Sequence, residues 1–237
     1  MRNYFYLNVN GFYGVREKNR DKLKVGLDDD CCLKNAENIC KRIFEDEPSK
    51  YDAIFLAEYA PNTRSGKRVT DFFSQKGYKL VLPNAEEEVE NCYYSIVAAY
   101  VKKDLKVKNS KVFPEGWLTW NELLIDDQYI VGIHSTREAF LNDMKKIVRD
   151  RSDKEKDLIV LGDTNVTNDS EEKQKKLMNE IIGYVGKEIF DEDRKNTFRR
   201  ITKPDRVFSN IKYIGFRVID DFFINELADH DALSVTV

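Results

Sequence analysis

The sequence predicts an α/β protein with mixed sheets, organised as one domain over residues 1–237. Three observations carry that reading. Short apolar runs of strand length recur along the whole chain. Stretches with apolar residues at helical spacing separate several of these runs. Two arms rich in β-favouring residues flank Asp126-Asp127, a hairpin signal.

The elements follow in order. Tyr4 to Asn10 reads as a strand that closes in the turn pair Asn10-Gly11. Residues 14–30 are polar and read as a long loop. Over 33–46, Leu33, Ala36, Ile39, Cys40 and Ile43 fall on one helical face. Ala53 to Ala57 is a continuous apolar run suited to a buried strand. A helix is expected over 67–76, then strands over 78–82 and 94–101. The hairpin arms are 117–125 and 128–135. Helices are expected over 137–150 and 170–182, on either side of a buried strand at 158–161. Three last strands fit 205–210, 213–219 and 231–237. There is no internal repeat and no Gly/Ser- or Pro-rich linker.

Composition excludes several classes. Hydrophobic residues make up 41% and charged residues 34% of 237, which suits a globular chain rather than a disordered one. No apolar run approaches the length of a membrane span, so no membrane association is expected. Cys31, Cys32, Cys40 and Cys92 form no C-x-x-C pair, so neither a zinc knot nor a disulfide framework is expected. The chain enters its first strand without an apolar leader, and reduced thiols in the cytoplasm are the expectation. No obligate protein partner is indicated.

The functional signal is positional. The first strand ends in Asn8 and Asn10, the second in Glu58, Ile130–Ile133 in His134, and Ile159–Gly162 in Asp163, with Asn165 two residues on. Asp205 and the pair Asp229-His230 instead precede strands. In a mixed sheet, the end of one strand and the start of its antiparallel neighbour share a rim, so these groups converge on one edge. Asn and Asp are ordinary turn residues after strands. A Glu closing an apolar run is less ordinary, because an unpaired buried carboxylate is costly. Both histidines of the chain fall at such positions.

Taken together, the motifs resemble the endonuclease/exonuclease/phosphatase superfamily, the deoxyribonuclease-I-like fold. Leu7-Asn8-Val9-Asn10-Gly11 is similar to its N-x-N-G first strand, and Ile54 to Glu58 to its strand ending in Gln-Glu, with Ala57 in place of Gln. Gly132 to Thr136 resembles T-H-L, Leu161 to Asn165 resembles G-D-x-N, Pro204 to Val207 resembles R-I-D-Y with Arg206 for Tyr, and Ala228-Asp229-His230 resembles S-D-H. The resemblance implies a four-layer α/β sandwich, two packed mixed sheets flanked by helices. It implies a metal-dependent phosphoesterase, most simply a nuclease on DNA or RNA, with a phosphatase or phosphodiesterase on a small substrate as the alternative and an inactive binding module as a third.

The resemblance also implies roles. Glu58, Asn8 and Asp229 would ligate the metal, Mg²⁺ with Mn²⁺ as substitute, because carboxylates crowded into one pocket need a hard cation. Asp163 would orient or deprotonate the attacking water, and Asn165 would hold that water and the phosphate. His230 would meet a phosphate oxygen, and Asp205 would fix the His230 tautomer. His134 would donate to the phosphate or the leaving oxygen. Asn10, Tyr94 and Arg206 would bind substrate. Residues 14–24, 62–68 and 194–206 carry net charges of +3, +3 and +5, a basic collar that suits a nucleic-acid partner. Charged loops are otherwise simply solvated.

Overall fold

The computed structural model describes residues 1–15, 29–45, 50–82, 96–109, 119–150, 156–166, 171–189, 197–198 and 204–237. Strand β1 (Asn3–Asn8) shows how the layers arise. Its pleat sends Phe5 and Leu7 to one face and Tyr4 and Tyr6 to the other, and both sets are buried. A strand buried on both faces needs a layer on each side.

The first sheet runs β11 (Gly215–Ile219), β12 (Ala232–Thr236), β1, β2 (Ala53–Tyr59), β4 (Ile96–Lys102), β3 (Tyr78–Val81). Only β1 and β2 are parallel; the other pairings are antiparallel. The second sheet runs β5 (Val107–Asn109), β6 (Trp120–Ile125), β7 (Gln128–His134), β8 (Asp157–Asp163), β10 (Asp205–Ser209), β9 (Lys187–Ile189). Here β7 and β8 form the parallel pair.

The sheets pack face to face through Tyr4, Tyr6, Phe55 and Val97 from the first and Leu123, Ile130, Leu161 and Val207 from the second. Gly132 makes room in this interface. A Cβ there would lie 2.4 Å from the Phe55 ring, so the ring occupies the space a side chain would take.

Helices cover the outer faces. On α1 (Asp30–Ile43), Cys32, Ala36, Ile39, Cys40 and Ile43 form the buried stripe, and Asp29 caps the helix by accepting the Cys32 N–H at 2.7 Å. Thr63 caps α2 (Arg64–Gln75) by accepting the Gly66 N–H. Both helices cover the first sheet, with the single-turn α5 (Asp221–Ile224) contributing Phe222. Helices α3 (Phe140–Asp150) and α4 (Glu171–Val185) cover the second through Phe140, Met144 and Ile181. The result is helix, sheet, sheet, helix, as the sequence predicts.

The differences are local. Strands β5 and β9 are three-residue edge strands, and α5 is one turn; none has enough residues to show a period. Trp120 packs in the core over α3 and α4, whereas Trp117 and Cys92 lie outside the described residues. Cys31, Cys32 and Cys40 are free thiols. No helix among the described residues is long and apolar enough to cross a membrane.

Candidate active site

Strand register builds the rim. His134 on β7 pairs with Asp163 on β8, and Asp163 pairs with Asp205 on β10. The three therefore stand in one row across three adjacent strands. Their strand neighbours Leu161 and Val207 face the opposing sheet, so this row opens on the same side. From that opposing sheet, β1 delivers Asn8 directly after Tyr6 on its inner face. The chain entering β12 delivers Asp229 and His230.

Glu58 needs an additional device. Simple alternation after Leu56 would turn it toward the helices. Instead the β2–β4 register shifts between Leu56 and Tyr59, and Glu58 adopts φ 51°. This bulge aims the carboxylate at the rim and returns Tyr59 to the outer core. Asn10 and Asn165 also have positive φ, 46° and 53°. Left-handed backbone costs energy in residues other than glycine, and its concentration here marks a site that the surrounding packing imposes.

The contacts are close. Asn8 Nδ2 donates to Glu58 Oε1 at 3.2 Å and to Asp163 Oδ2 at 3.1 Å. His134 Nε2 lies 3.4 Å from Glu58 Oε1 and 3.8 Å from Asp163 Oδ2. His230 Nδ1 lies 2.8 Å from Asp205 Oδ2, and its Nε2 lies 3.7 Å from Asp163 Oδ2. Phe198 packs against the His230 ring in a tilted contact, with centroids 4.8 Å apart. The Asn165 N–H donates to Asp163 Oδ1 at 2.9 Å.

Charge follows from this geometry. Burial works against a charged His230, but Asp205, Asp163 and Asp229 outweigh it and its pKa is pushed up to about 10. Burial also opposes charge on His134, and Glu58 with Asp163 reverses the balance, raising its pKa. Burial raises the Asp163 pKa; the two imidazoles pull it back while Asp205 adds to the rise. At neutral pH an imidazolium at His230 thus sits between two aspartates.

No protein-family model and no curated protein sequence matches the chain, so likeness to known proteins rests on structure alone. An AP endonuclease from Archaeoglobus fulgidus superposes with a TM-score of 0.64 at 13% identity, covering 100% of this chain and 99% of that one. The 3′ phosphatase NExo from Neisseria, bound to a product DNA hairpin, gives 0.66 at 10% identity, with 100% and 99% covered. TDP2 from D. rerio, complexed with single-strand DNA product, gives 0.61 at 12% identity, with 99% and 97% covered. The fold is deoxyribonuclease-I-like.

On this deoxyribonuclease-I-like scaffold, Asn8, Glu58, His134, Asp163, Asp205 and His230 come together as the sequence predicts they would. Asp229 is buried beside His230 and adds its charge there. Three residues have structural contacts besides the roles expected of them. Asn8 was expected as a metal ligand; its Nδ2 donates to both carboxylates and holds Glu58 and Asp163 in place, while its Oδ1 accepts the Asn10 N–H at 3.0 Å. Asn10 was expected to bind substrate, but its Nδ2 donates to the Gly14 carbonyl at 2.9 Å and braces the turn after β1. Arg206 was also expected at the substrate. It follows Asp205 on β10 and therefore points to the opposite face, sharing that face with Phe208 and binding Glu188 at 2.6 Å. Tyr94 and most of 14–24 and 194–206 lie outside the described residues.

The Arg206–Glu188 pair is buried, with side chains 9% and 4% exposed. Arg206→Ala is expected to destabilise the protein by about 3–5 kcal/mol in urea titration, because it leaves Glu188 charged in the interior. An Arg206→Ala midpoint equal to that of the parent would show that Glu188 is rescued by water.

The donor set fits a hard divalent cation: carboxylates dominate, and Asp205 Oδ1 is buried without a hydrogen bond among the described residues. Asp163, Asp205 and His230 have ligand atoms within 4.8 Å of one another. His230 is nevertheless a poor ligand there, since Nδ1 engages Asp205 and a protonated ring has no lone pair to offer. Glu58, with 20% of its side chain exposed at the mouth of the rim, is the better anchor.

Asn165 is exposed, and its Nδ2 donates to the Ser135 carbonyl at 2.9 Å. Sequence reasoning missed Tyr6 altogether. Its hydroxyl accepts the Asp163 N–H at 3.0 Å, and a tyrosine inside an apolar strand carries no outward sign of that role.

Proposed function

We propose that this chain, acting as one unit over residues 1–237, is a divalent-metal-dependent phosphoesterase that cleaves phosphodiester bonds in nucleic acid. The observation that carries the reading is the relay Asp205–His230–Asp163, set opposite Glu58 and His134 on one rim. Two of the solved proteins of this fold described above hold DNA products, which supports the same class of substrate.

Mg²⁺, with Mn²⁺ as substitute, would be held by Glu58 with Asp229 nearby, and it would neutralise charge on the phosphate and the leaving oxygen. The protein groups supply the rest. Asp163 Oδ2, with both imidazoles opposing the effect of burial on its charge, orients a water and takes its proton. His230 directs Nε2–H at a non-bridging phosphate oxygen, while Asp205 accepts Nδ1–H and fixes the ring. His134 Nε2–H donates to the phosphate or to the leaving oxygen. Asn165, with its amide nitrogen tied to Ser135, leaves its oxygen to the attacking water.

The alternative small phosphoester gains one point. Of the three cations in 62–68, Arg64 pairs with Asp30 at 3.0 Å and Arg68 with Glu37 at 2.8 Å, so part of the collar is ion-paired to α1. Exposed pairs of this kind are weak, and a phosphate chain can displace them, so the nucleic-acid reading stands.

The test is hydrolysis of plasmid DNA, structured RNA and a panel of phosphomonoesters. Cleavage of DNA or RNA is expected with Mg²⁺ or Mn²⁺, to vanish in EDTA, and to return on adding the metal in excess. Activity that survives EDTA removes the metal from the mechanism. Faster turnover of phosphomonoesters transfers the assignment to a small substrate, and inactivity on every substrate refutes the enzyme.

A further inference from the structure

The β7–β8 pair is parallel, with Ile133 opposite Gly162 and His134 opposite Asp163. The Ser135 N–H donates to the Asp163 carbonyl at 2.9 Å. In a regular parallel ladder of this register, the Asp163 N–H would be donated to the Ile133 carbonyl. A third strand meets both of these groups. The Tyr6 hydroxyl, from β1 of the opposing sheet, accepts the Asp163 N–H at 3.0 Å and donates to the Ile133 carbonyl at 2.9 Å.

Three further features fit this arrangement. Tyr6 is fully buried, so its hydroxyl meets those two backbone groups away from solvent. Gly162 has φ 145°, and a Cβ there would lie 2.8 Å from the Tyr6 ring and 2.0 Å from the Ile133 carbonyl oxygen. Two residues along the same strand and face, Asn8 donates to the Asp163 carboxylate. Strand β1 therefore grips Asp163 twice, at its main chain through Tyr6 and at its side chain through Asn8. The Tyr6 hydroxyl also fixes the carbonyl immediately before His134.

We infer that Tyr6 is a positioning residue for the site: its hydroxyl bolts the ends of β7 and β8 to the opposing sheet and so sets the separation of His134 and Asp163. The inference rests on the phosphoesterase reading for its kinetic consequence and on geometry alone for its structural one. Tyr4 supplies the control. It lies on the same strand and face, and its hydroxyl donates to Gln128 Oε1 at 3.2 Å, at the far end of β7 from His134.

The experiment compares Tyr6→Phe and Tyr4→Phe in the metal-loaded full chain. Each removes one hydroxyl. Tyr6→Phe is expected to lower kcat roughly 10–100-fold, the usual loss when a group orienting an active side chain is removed, with KM nearly unchanged. The two histidines give two imidazole signals in heteronuclear NMR, and Tyr6→Phe is expected to displace them, the His134 signal most. Tyr4→Phe is expected to leave kcat and both signals as in the parent. A folded Tyr6→Phe protein with parental kcat and parental imidazole signals overturns the inference. Equal losses in both variants overturn it too, because they would report general loosening. If the parent hydrolyses no phosphoester, the functional reading fails, and the imidazole signals still decide the positioning role.

Discussion

Asp163→Asn is expected to lower kcat roughly 10²–10⁴-fold, the range a positioned general base contributes, while the protein stays folded. The amide preserves shape and the hydrogen bond from the Asn165 N–H, but it cannot accept a proton from water. His230→Ala is expected to cost a similar factor, since it removes the donor aimed at phosphate and leaves Asp205 and Asp163 without their shared cation. The two losses should fall well short of multiplying in the double variant, because the groups act as a unit. Parental kcat in either single variant would end the assignment.

His230 also makes a pH signature. Its pKa is about 10 in the folded protein and near 6.5 when unfolded. A group whose pKa rises on folding stabilises fully below its unfolded value, and the contribution fades as pH climbs and is gone past the folded value. The metal-free protein should therefore lose stability between pH 6.5 and about 10 relative to the His230→Gln variant. Parallel melting curves for the two across that window would show that Asp205 and Asp163 do not hold the proton.

Gly162→Ala is expected to destabilise the protein by about 3 kcal/mol or more, combining backbone strain with overpacking. The residue holds φ 145°, and its Cβ would lie 2.0 Å from a carbonyl oxygen and 2.8 Å from the Tyr6 ring. Relief requires Tyr6 or the Ile133 carbonyl to move, so kcat should fall as well. Gly77 isolates the steric part. It has φ 85°, but a Cβ there meets nothing within 4 Å, so Gly77→Ala should cost only about 1 kcal/mol and leave turnover intact. Urea titration of both variants measures the difference. Equal small losses would mean that β8 bends freely beside Asp163, and that the packing around Tyr6 is loose.

The sequence made the rim legible because its residues sit where apolar runs stop. His134, Asp163, Asp205 and His230 terminate or precede strands, and strand ends can be read from a chain. Two long-range features and the shortest strands were not readable, and one readable signal was overridden. The bulge that aims Glu58 inward depends on pairing with β4, so alternation alone would place the carboxylate on the wrong face. The opposite facing of Asp205 and Arg206 follows from simple alternation, yet similarity to a motif drew both to the same pocket. The role of Tyr6 depends on two sheets meeting, and nothing in Tyr4-Phe5-Tyr6-Leu7 separates a phenol that bonds across the interface from one that only fills it. The short strands β5 and β9 went unseen because three residues cannot display a period.

The chain starts in the first sheet, builds the second, and returns to lay β12 beside β1. His230 sits just ahead of that returning strand. A partly synthesised protein emerging from the ribosome would hold Glu58, His134 and Asp163 but lack the imidazole that completes them. Assembly of the rim thus waits for the segment ahead of β12 to be made and docked beside β1.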